Sequence, residues 1–152
     1  MTKDVTFTGL LPYLKYADAG TMIDWLVRVF GFEERSRYVD KDGQVMQAEL
    51  FVGDLELWLS GHGEGYRQEH DGKPDIFIGV WVDDVDAMYE RVTAAGVEAP
   101  EPKDQDYDVR SFNVTDPEGC MWGFMRRLGT GYHQRIPTEE GGLEEILAVR
   151  DT

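Results

Sequence analysis

Residues 16–34, YADAGTMIDWLVRVFGFEE, align with residues 82–99, VDDVDAMYERVTAAGVEA, when one residue of slack is allowed. Each copy reads as a strand end, an acidic turn, an amphipathic helix and a glycine that stops the helix. Strand-like segments broken by a tight turn follow each copy, at Gly53 and Asp54 in the first and at DPEG (116–119) in the second. A period of about 66 residues is too long for a solenoid unit. The chain is therefore predicted to hold two packed copies of one module.

Local signals define the elements of each module. Asp18 and Asp84 precede apolar stripes of helical spacing and can cap the two helices, which Gly31 and Gly96 would end. Alternating patterns and turn signals predict eight strands, at residues 7–16, 33–39, 44–52, 55–60, 75–82, 97–100, 108–114 and 120–126. The order βαβββ, repeated, predicts an α+β fold of paired βαβββ modules. Its curved mixed sheets carry helices on the outer face and a ligand cup on the inner face.

The predicted domain covers residues 1–127. Its modules span about residues 7–61 and 75–127, and the polar, Gly-rich segment 62–74 is predicted to be a mobile loop that joins them. The segment that follows, 128–152, is predicted to be a C-terminal tail with a short helix at GLEEILAV. Packing of this tail on a neighbouring subunit and fraying are both compatible with its composition.

Composition restricts the function and the location. The formal charge of −15 would repel nucleic acid and attract a cationic ligand or partner. The single cysteine, Cys120, excludes an internal disulfide framework and is typical of a reducing compartment. The N-terminus lacks an apolar signal region, and no stretch approaches a membrane span. A cytoplasmic protein without a membrane or nucleic-acid partner is expected.

The pattern resembles the vicinal oxygen chelate superfamily, which holds glyoxalase I, bleomycin resistance proteins, fosfomycin resistance enzymes and extradiol dioxygenases. The resemblance covers about residues 8–127. It rests on LLPYLKYADAG…FGFEE, FVGDLELWL, FIGVWVDDVDAMYERVTAAGVE and FNVTDPEGCMWGF. It implies paired βαβββ modules, a homodimer and a ligand cavity in each sheet cup.

Enzymes of that superfamily hold a divalent metal on four strands, and this chain departs from their ligand pattern. The resemblance places Leu11, Phe77 and Gly123 at three of the four positions, and either Glu56 or Trp58 at the fourth. One carboxylate is too few for the coordination that such metal chemistry needs. We therefore expect no metal site, no cofactor and no catalytic residue. The sequence does not decide whether the protein is an enzyme, but it favours a protein without enzymatic activity.

Strand alternation predicts which side chains line the cup, because successive residues point to opposite faces. The predicted ligand-binding residues are mostly aromatic or Met: Tyr13, Phe51, Glu56, Trp58, Phe77, Trp81, Met121 and Met125, with Arg110 as a polar handle. Aromatic faces stack on flat ligands and attract cations, and a carboxylate among them can bind an amine. Aromatic residues on strands are also common in core packing and in subunit interfaces, and these alternatives stay open.

These residues indicate a metal-free protein that binds a small molecule, similar to the bleomycin-resistance-type proteins, which sequester a drug unaltered. The expected ligand is an aromatic, neutral-to-cationic natural product or antibiotic. One alternative is a lyase, isomerase or dioxygenase of the same superfamily with an atypical site. Another is an interaction module with residues 128–152 as its effector segment. His62, His70 and His133 match no ligand spacing, and Cys120 lacks an activating neighbour in the sequence.

Overall fold

The protein is described by a computed structural model that covers residues 4–70 and 76–129 in full and the backbone of residues 132–137 and 143–150. The chain divides into two compact units. Unit 1 comprises Met1–Asp75 and Thr115–Cys120, and unit 2 comprises Ile76–Val114 and Met121–Thr152. The predicted α+β fold with two βαβββ repeats is confirmed.

Unit 1 contains the first repeat. Its elements are β1 (Tyr13–Tyr16), α1 (Ala19–Trp25), β2 (Glu33–Val39), β3 (Val45–Val52), β4 (Leu55–Gly61) and α2 (Glu64–His70). The four strands form one mixed sheet in the order β1-β4-β3-β2. Strand β1 runs parallel to β4, while β3 runs antiparallel to both β4 and β2.

Helix α1 forms where the sequence predicts it. The Asp18 carboxylate accepts a hydrogen bond from the Thr21 amide at 3.0 Å, and this bond with the Thr21 hydroxyl lowers the pKa of Asp18. A short π-helical stretch, Leu26–Phe30, continues α1 and ends at Gly31, whose φ of 79° is the left-handed conformation of a helix stop.

One side of the unit 1 sheet and the inner stripe of α1 form a single core. The helix contributes Met22, Ile23 and Leu26, all buried. Strands β3 and β4 contribute every second residue, and these are almost completely buried: Ala48, Leu50, Leu57 and Leu59. Burial of apolar area at about 25 cal/mol per Å² makes this core the main stabilising term of unit 1.

The DPEG turn (116–119) belongs to unit 1 and fixes the junction between β1 and α1. The Glu118 carboxylate accepts hydrogen bonds from the amides of Ala17 and Asp18 at 2.7 and 2.9 Å. The buried Asp116 carboxylate accepts a hydrogen bond from the Tyr16 hydroxyl at 2.7 Å. The motif that supports the family resemblance is therefore a structural clamp in this protein.

Unit 2 contains the second repeat: β5 (Phe77–Trp81), α3 (Val85–Ala94), β6 (Lys103–Asp104), β7 (Val109–Thr115) and β8 (Met121–Arg127). Its mixed sheet has the order β5-β8-β7-β6, with β5 parallel to β8 and β6 antiparallel to β7. An antiparallel pair follows, formed by β9 (Tyr132–Pro137) and β10 (Leu143–Arg150).

The core of unit 2 lies between α3 and one side of its sheet. The Asp84 carboxylate caps α3 by accepting a hydrogen bond from the Ala87 amide at 3.0 Å. Tyr89 of α3 meets the Phe112 ring edge-on, and Phe112 stacks on Phe124, both at 5.5 Å between ring centroids. Aromatic pairs in these arrangements add to the stabilisation from burial alone.

Four predictions of local structure are wrong. Residues Glu64–His70, predicted to be part of the loop 62–74, form α2, whereas residues 71–74 of that loop lie outside the described residues. Strand β1 begins at Tyr13 rather than at residue 7. The strand predicted at 97–100 is replaced by β6 at Lys103–Asp104. The segment predicted to be a terminal helix forms β10, because its residues pair with β9.

Candidate functional site

Each four-stranded sheet has one face turned away from its helix. In unit 1 we call this surface face A. Strand alternation places on it the residues between the buried core positions: Tyr13, Lys15, Gln47, Glu49, Phe51, Glu56, Trp58 and Ser60. Four of the predicted ligand-binding residues, Tyr13, Phe51, Glu56 and Trp58, therefore share face A. Their role in binding stays a prediction.

Two of the aromatic residues of face A contact one another across the strands. The Tyr13 and Trp58 rings meet edge-on at 5.6 Å between centroids, since the two residues are opposite one another in the parallel β1–β4 pair. Phe51 lies opposite Glu56 in the antiparallel β3–β4 pair. The predicted residues thus form adjacent rows on one surface.

Two buried polar atoms on face A lack a hydrogen-bond partner within the described part of the chain. They are the indole Nε1 of Trp58 and the hydroxyl of Ser36. Both residues lie opposite Glu49, one on each side of it. Buried polar groups in folded proteins are almost always paired, so these two atoms are exceptions that call for an explanation.

Arg35 is a member of face A that the sequence analysis missed. The register of β2 against β3 shifts between Glu34 and Ser36, so Arg35 is the extra residue of a β-bulge. Its guanidinium pairs with the Glu56 carboxylate, lies 3.5 Å from Glu49 Oε2, and sits 5.4 Å from the centroid of the Phe51 ring. The carboxylates of face A are therefore already engaged by a cation from the same chain.

The corresponding surface of unit 2 is called face B. It carries the other predicted aromatic and Met residues in two opposed pairs, Phe77 with Met121 and Trp81 with Met125. Phe77, Trp81 and Met121 are 52%, 55% and 40% exposed, which is high for large apolar side chains. Large contiguous exposed apolar patches are a feature of binding surfaces.

Two glycines let the side chains of face B lie flat on the sheet. A Cβ at Gly123 would stand 2.5 Å from Cζ of Phe77, and a Cβ at Gly79 would stand 2.6 Å from Cε of Met125. The Phe77 ring therefore covers Gly123, and the Met125 thioether covers Gly79. The result is a smooth surface of ring and sulfur atoms that suits a flat guest.

Arg127 is a second functional candidate that the sequence analysis missed. It follows Met125 at alternate spacing on β8, and its guanidinium carbon lies 4.7 Å from the centroid of the Trp81 ring. Such a distance is within the range of a cation–π contact. Faces A and B each therefore carry an arginine above an aromatic ring.

Arg110 does not belong to face B, contrary to the prediction that it is a polar handle for the ligand. Its guanidinium donates hydrogen bonds to the two oxygens of Asp86 on α3, at 2.7 and 3.0 Å, and to Asp104 at 3.0 Å. These pairings raise the pKa of Arg110 and lower that of Asp86. Arg110 shares a sheet side with Phe112 and Val114, which places it toward the helix.

Polar groups also gather at the end of β4 and on α2. Ser60 Oγ and His62 Nε2 are 2.8 Å apart, and the rings of Tyr66 and His70 stack at 4.1 Å. Cys120, which directly follows the DPEG turn, is buried, and this burial with the Asp116 charge raises the pKa of its thiol to about 12. A thiol with so high a pKa is protonated at neutral pH and is a poor nucleophile.

The positions at which the superfamily's enzymes hold a metal do not suit one here. Leu11, Phe77 and Gly123 offer carbon and hydrogen where nitrogen or oxygen ligands are needed, and the Phe77 ring lies on Gly123. At the fourth position, Glu56 is paired with Arg35. Within residues 4–70 and 76–129, no three His, Cys, Asp or Glu side chains cluster as a metal site would require.

Comparison with known families agrees with this fold. Residues 14–124 match the model of the Glyoxalase/Bleomycin resistance protein/Dioxygenase superfamily. The chain belongs to that superfamily. No helix in the described part of the chain is long and apolar enough to cross a membrane.

Three known proteins are similar to this chain. TioX from Micromonospora sp. ML1 is 34% identical, with a TM-score of 0.62 over 78% of this chain and 95% of that one. The bleomycin-binding protein from Streptomyces verticillus, solved with copper(II)-bleomycin, is 24% identical, with a TM-score of 0.60 over 80% of this chain and 97% of that one. The uncharacterized protein Rv0887c of Mycobacterium tuberculosis is 29% identical and covers 93% of this chain and 81% of the relative.

Proposed function

We propose that this superfamily member is a metal-free binding protein that sequesters an aromatic, neutral-to-cationic natural product or antibiotic without altering it. The observation that carries the proposal is the contact of the Phe77 ring with Gly123, at positions where related enzymes keep metal ligands. A surface made of ring, thioether and backbone atoms offers dispersion and stacking but no Lewis acid. Binding is the function that such a surface supports best.

The chemistry of the two faces favours a flat guest. Tyr13, Phe77 and Trp81 expose large ring areas, and the Met side chains beside them adapt to irregular outlines. The unpaired Trp58 Nε1 and Ser36 hydroxyl would be satisfied by polar atoms of a ligand. The net charge of −15 would favour the approach of a cation.

The similar proteins lend support by analogy. The S. verticillus bleomycin-binding protein shares this fold and holds a copper complex of an antibiotic. Its sequence identity is low, so the analogy concerns the scaffold and leaves the ligand of the present protein open. A role in antibiotic resistance by sequestration is part of the proposal.

A binding screen tests the proposal. Thermal-shift measurements with planar aromatic cations, neutral compounds and anions should show stabilisation by members of the first two classes, because a ligand that binds only the native state raises Tm. Each hit is then titrated by calorimetry and recovered for mass spectrometry. Recovery of unchanged ligand, with the same Kd before and after dialysis against a chelator, is expected. Chemical conversion of the ligand would contradict the proposal and favour an enzyme with an atypical site.

The proposal extends to a cytoplasmic homodimer. The segment before β1 exposes Phe7 and Leu10 at 94% and 98%, and Val5 is also exposed. Apolar residues this exposed are typical of surfaces that a partner covers, and a second copy of the chain is the proposed partner. Sedimentation equilibrium should give twice the mass of the chain, and deletion of residues 1–10 should shift the equilibrium toward monomer. A monomeric wild type would contradict this part of the proposal.

A further inference from the structure

The position of Arg35 on face A points to a device that sets ligand specificity. Its guanidinium meets a carboxylate on each of two neighbouring strands, Glu49 on β3 and Glu56 on β4. It also lies above the Phe51 ring, at 5.4 Å from the centroid. Carboxylates on one side and a ring face on the other are the surroundings that an external cation would select.

The bulge at Arg35 supports a role beyond sheet pairing. Arg35 is the residue left out of the register between Glu34 and Ser36, so its position is not set by a ladder partner. Bulges re-aim a side chain and occur next to binding sites more often than elsewhere in sheets. The arginine side chain is half-exposed, so it can leave the carboxylates without disrupting the buried core.

Polar groups beside the ion pair are left unsatisfied by Arg35. Trp58 Nε1 and the Ser36 hydroxyl flank Glu49 in one row across the strands, and both are buried without a partner among the described residues. Arg35 therefore contacts the two carboxylates and the Phe51 ring, but it makes no hydrogen bond to Trp58 Nε1 or to the Ser36 hydroxyl. A ligand that carried a cation together with polar groups would satisfy more of the site than Arg35 does.

We propose that Arg35 is an internal surrogate for the cationic group of the ligand, which displaces its guanidinium from Glu49, Glu56 and the Phe51 ring. This inference rests on the proposed binding function and narrows it to planar ligands with a positive charge. Arg35 lowers the affinity for every cation, because its guanidinium must first be displaced. A ligand that provides only a cation replaces the contacts of Arg35 and gains little binding free energy. A ligand that also stacks and hydrogen-bonds offsets the free-energy cost of displacing the guanidinium.

Removal of the surrogate provides the test. Arg35→Gln keeps a polar but shorter side chain and removes the charge. Arg37→Gln is the matched control, since Arg37 lies on the same strand and pairs with Glu34 and Asp24 on the helix side of the sheet. Both variants lose one positive charge, so a general effect of net charge would appear in both.

Two probes of nearly equal shape separate charge from stacking. N-methylacridinium is a permanent cation, and acridine is neutral in mildly alkaline buffer. Calorimetry should show that Arg35→Gln binds N-methylacridinium roughly tenfold more tightly than the wild type, as expected for the release of about one charge-assisted contact. Acridine affinity should change less than about twofold, and Arg37→Gln should match the wild type with both probes. Unchanged or weaker cation binding, or equal gains for both probes, would overturn the inference.

A measurement without an aromatic probe keeps the inference separate from the proposed function. Ethylguanidinium at low millimolar concentration should raise the Tm of Arg35→Ala by a few degrees relative to Arg37→Ala, because it refills the vacated site. No difference between the two variants would refute the surrogate. Rescue by ethylguanidinium with no binding of either acridine probe would keep the cation site and count against a flat aromatic ligand.

Discussion

The Tyr16 hydroxyl donates a 2.7 Å hydrogen bond to the Asp116 carboxylate, which lies one hundred positions further along the sequence. Both groups are buried, and the same carboxylate accepts hydrogen bonds from the amides of Glu118 and Cys120. This bond ties β1 to the DPEG turn inside unit 1. Two separate sequence motifs, the end of β1 with Tyr16 and the DPEG turn with Asp116, are therefore parts of one contact in the folded protein.

Removal of this hydroxyl should be costly. Tyr16→Phe should lower the free energy of unfolding by about 2 kcal/mol, because it removes a buried hydrogen bond to a charged group. Urea denaturation followed by circular dichroism measures the change. Tyr38→Phe is the control, since Tyr38 is exposed and its substitution should alter stability by less than about 0.5 kcal/mol. Equal effects of the two substitutions would show that the Asp116 contact contributes little.

The Cys120 thiol should make the fold sensitive to alkali. Burial and the Asp116 charge raise its pKa from the ordinary value of 9.0 to about 12. Below the ordinary pKa the thiol is protonated in both the folded and the unfolded state, so its contribution to the free energy of unfolding is fully present. Above that pH the unfolded chain loses the proton first, so the free energy of unfolding falls until the pH reaches the folded pKa.

The comparison with Cys120→Ala isolates this effect. Between pH of about 8 and about 10, the wild type should lose roughly 1.4 kcal/mol more stability than the alanine variant. Urea titrations at both values measure the difference, which is independent of any constant cost of the substitution. Burial also raises the pKa of Tyr16, so both proteins should weaken further above pH of about 10. Parallel stability curves would contradict the perturbed thiol.

Sequence patterns predict the parts of the fold that local chemistry determines. Asp18 and Asp84 cap the helices as expected, since a carboxylate before an apolar stripe satisfies free amides wherever it occurs. The alternation of Leu57, Trp58 and Leu59 correctly separates the core side of β4 from face A, because the period of a strand is fixed at two residues. Both signals are contained within a few residues.

The features that sequence analysis missed depend on tertiary structure. Helix α2 is short and polar. Its Arg67 guanidinium lies 3.7 Å from the Glu118 carboxylate of the DPEG turn, and no local sequence pattern indicates this contact. The position of Arg35 depends on a register shift that becomes visible only when β2 and β3 are paired. Arg110 is different. Its alternation with Phe112 was sufficient to place it on the helix side, so the sequence already contained the evidence against the prediction.

Two glycines should respond in opposite ways to substitution by alanine. A Cβ at Gly61 would stand 2.2 Å from the Val45 carbonyl oxygen, which is backbone and cannot move aside easily. Gly61→Ala should therefore cost about 3 kcal/mol of stability. Gly65 lies within α2 with no atom within 4 Å of its Cβ position, so Gly65→Ala should stabilise by about 0.5 kcal/mol or more. Thermal unfolding of both variants measures the signs, and a stabilised Gly61→Ala would contradict the close approach of β4 to Val45.

Face B, rather than the helix side of its sheet, should determine ligand affinity in unit 2. Trp81→Ala removes an exposed ring and should weaken the binding of the neutral probe acridine to face B at least about tenfold, with little loss of stability. Arg110→Ala breaks the pairs with Asp86 and Asp104 and should lower Tm while the affinity stays within about twofold of the wild type. Calorimetric Kd values, together with melting curves, separate the two effects. A large loss of affinity in Arg110→Ala with intact binding in Trp81→Ala would reverse the assignment, because the ligand would then lie against the helix side.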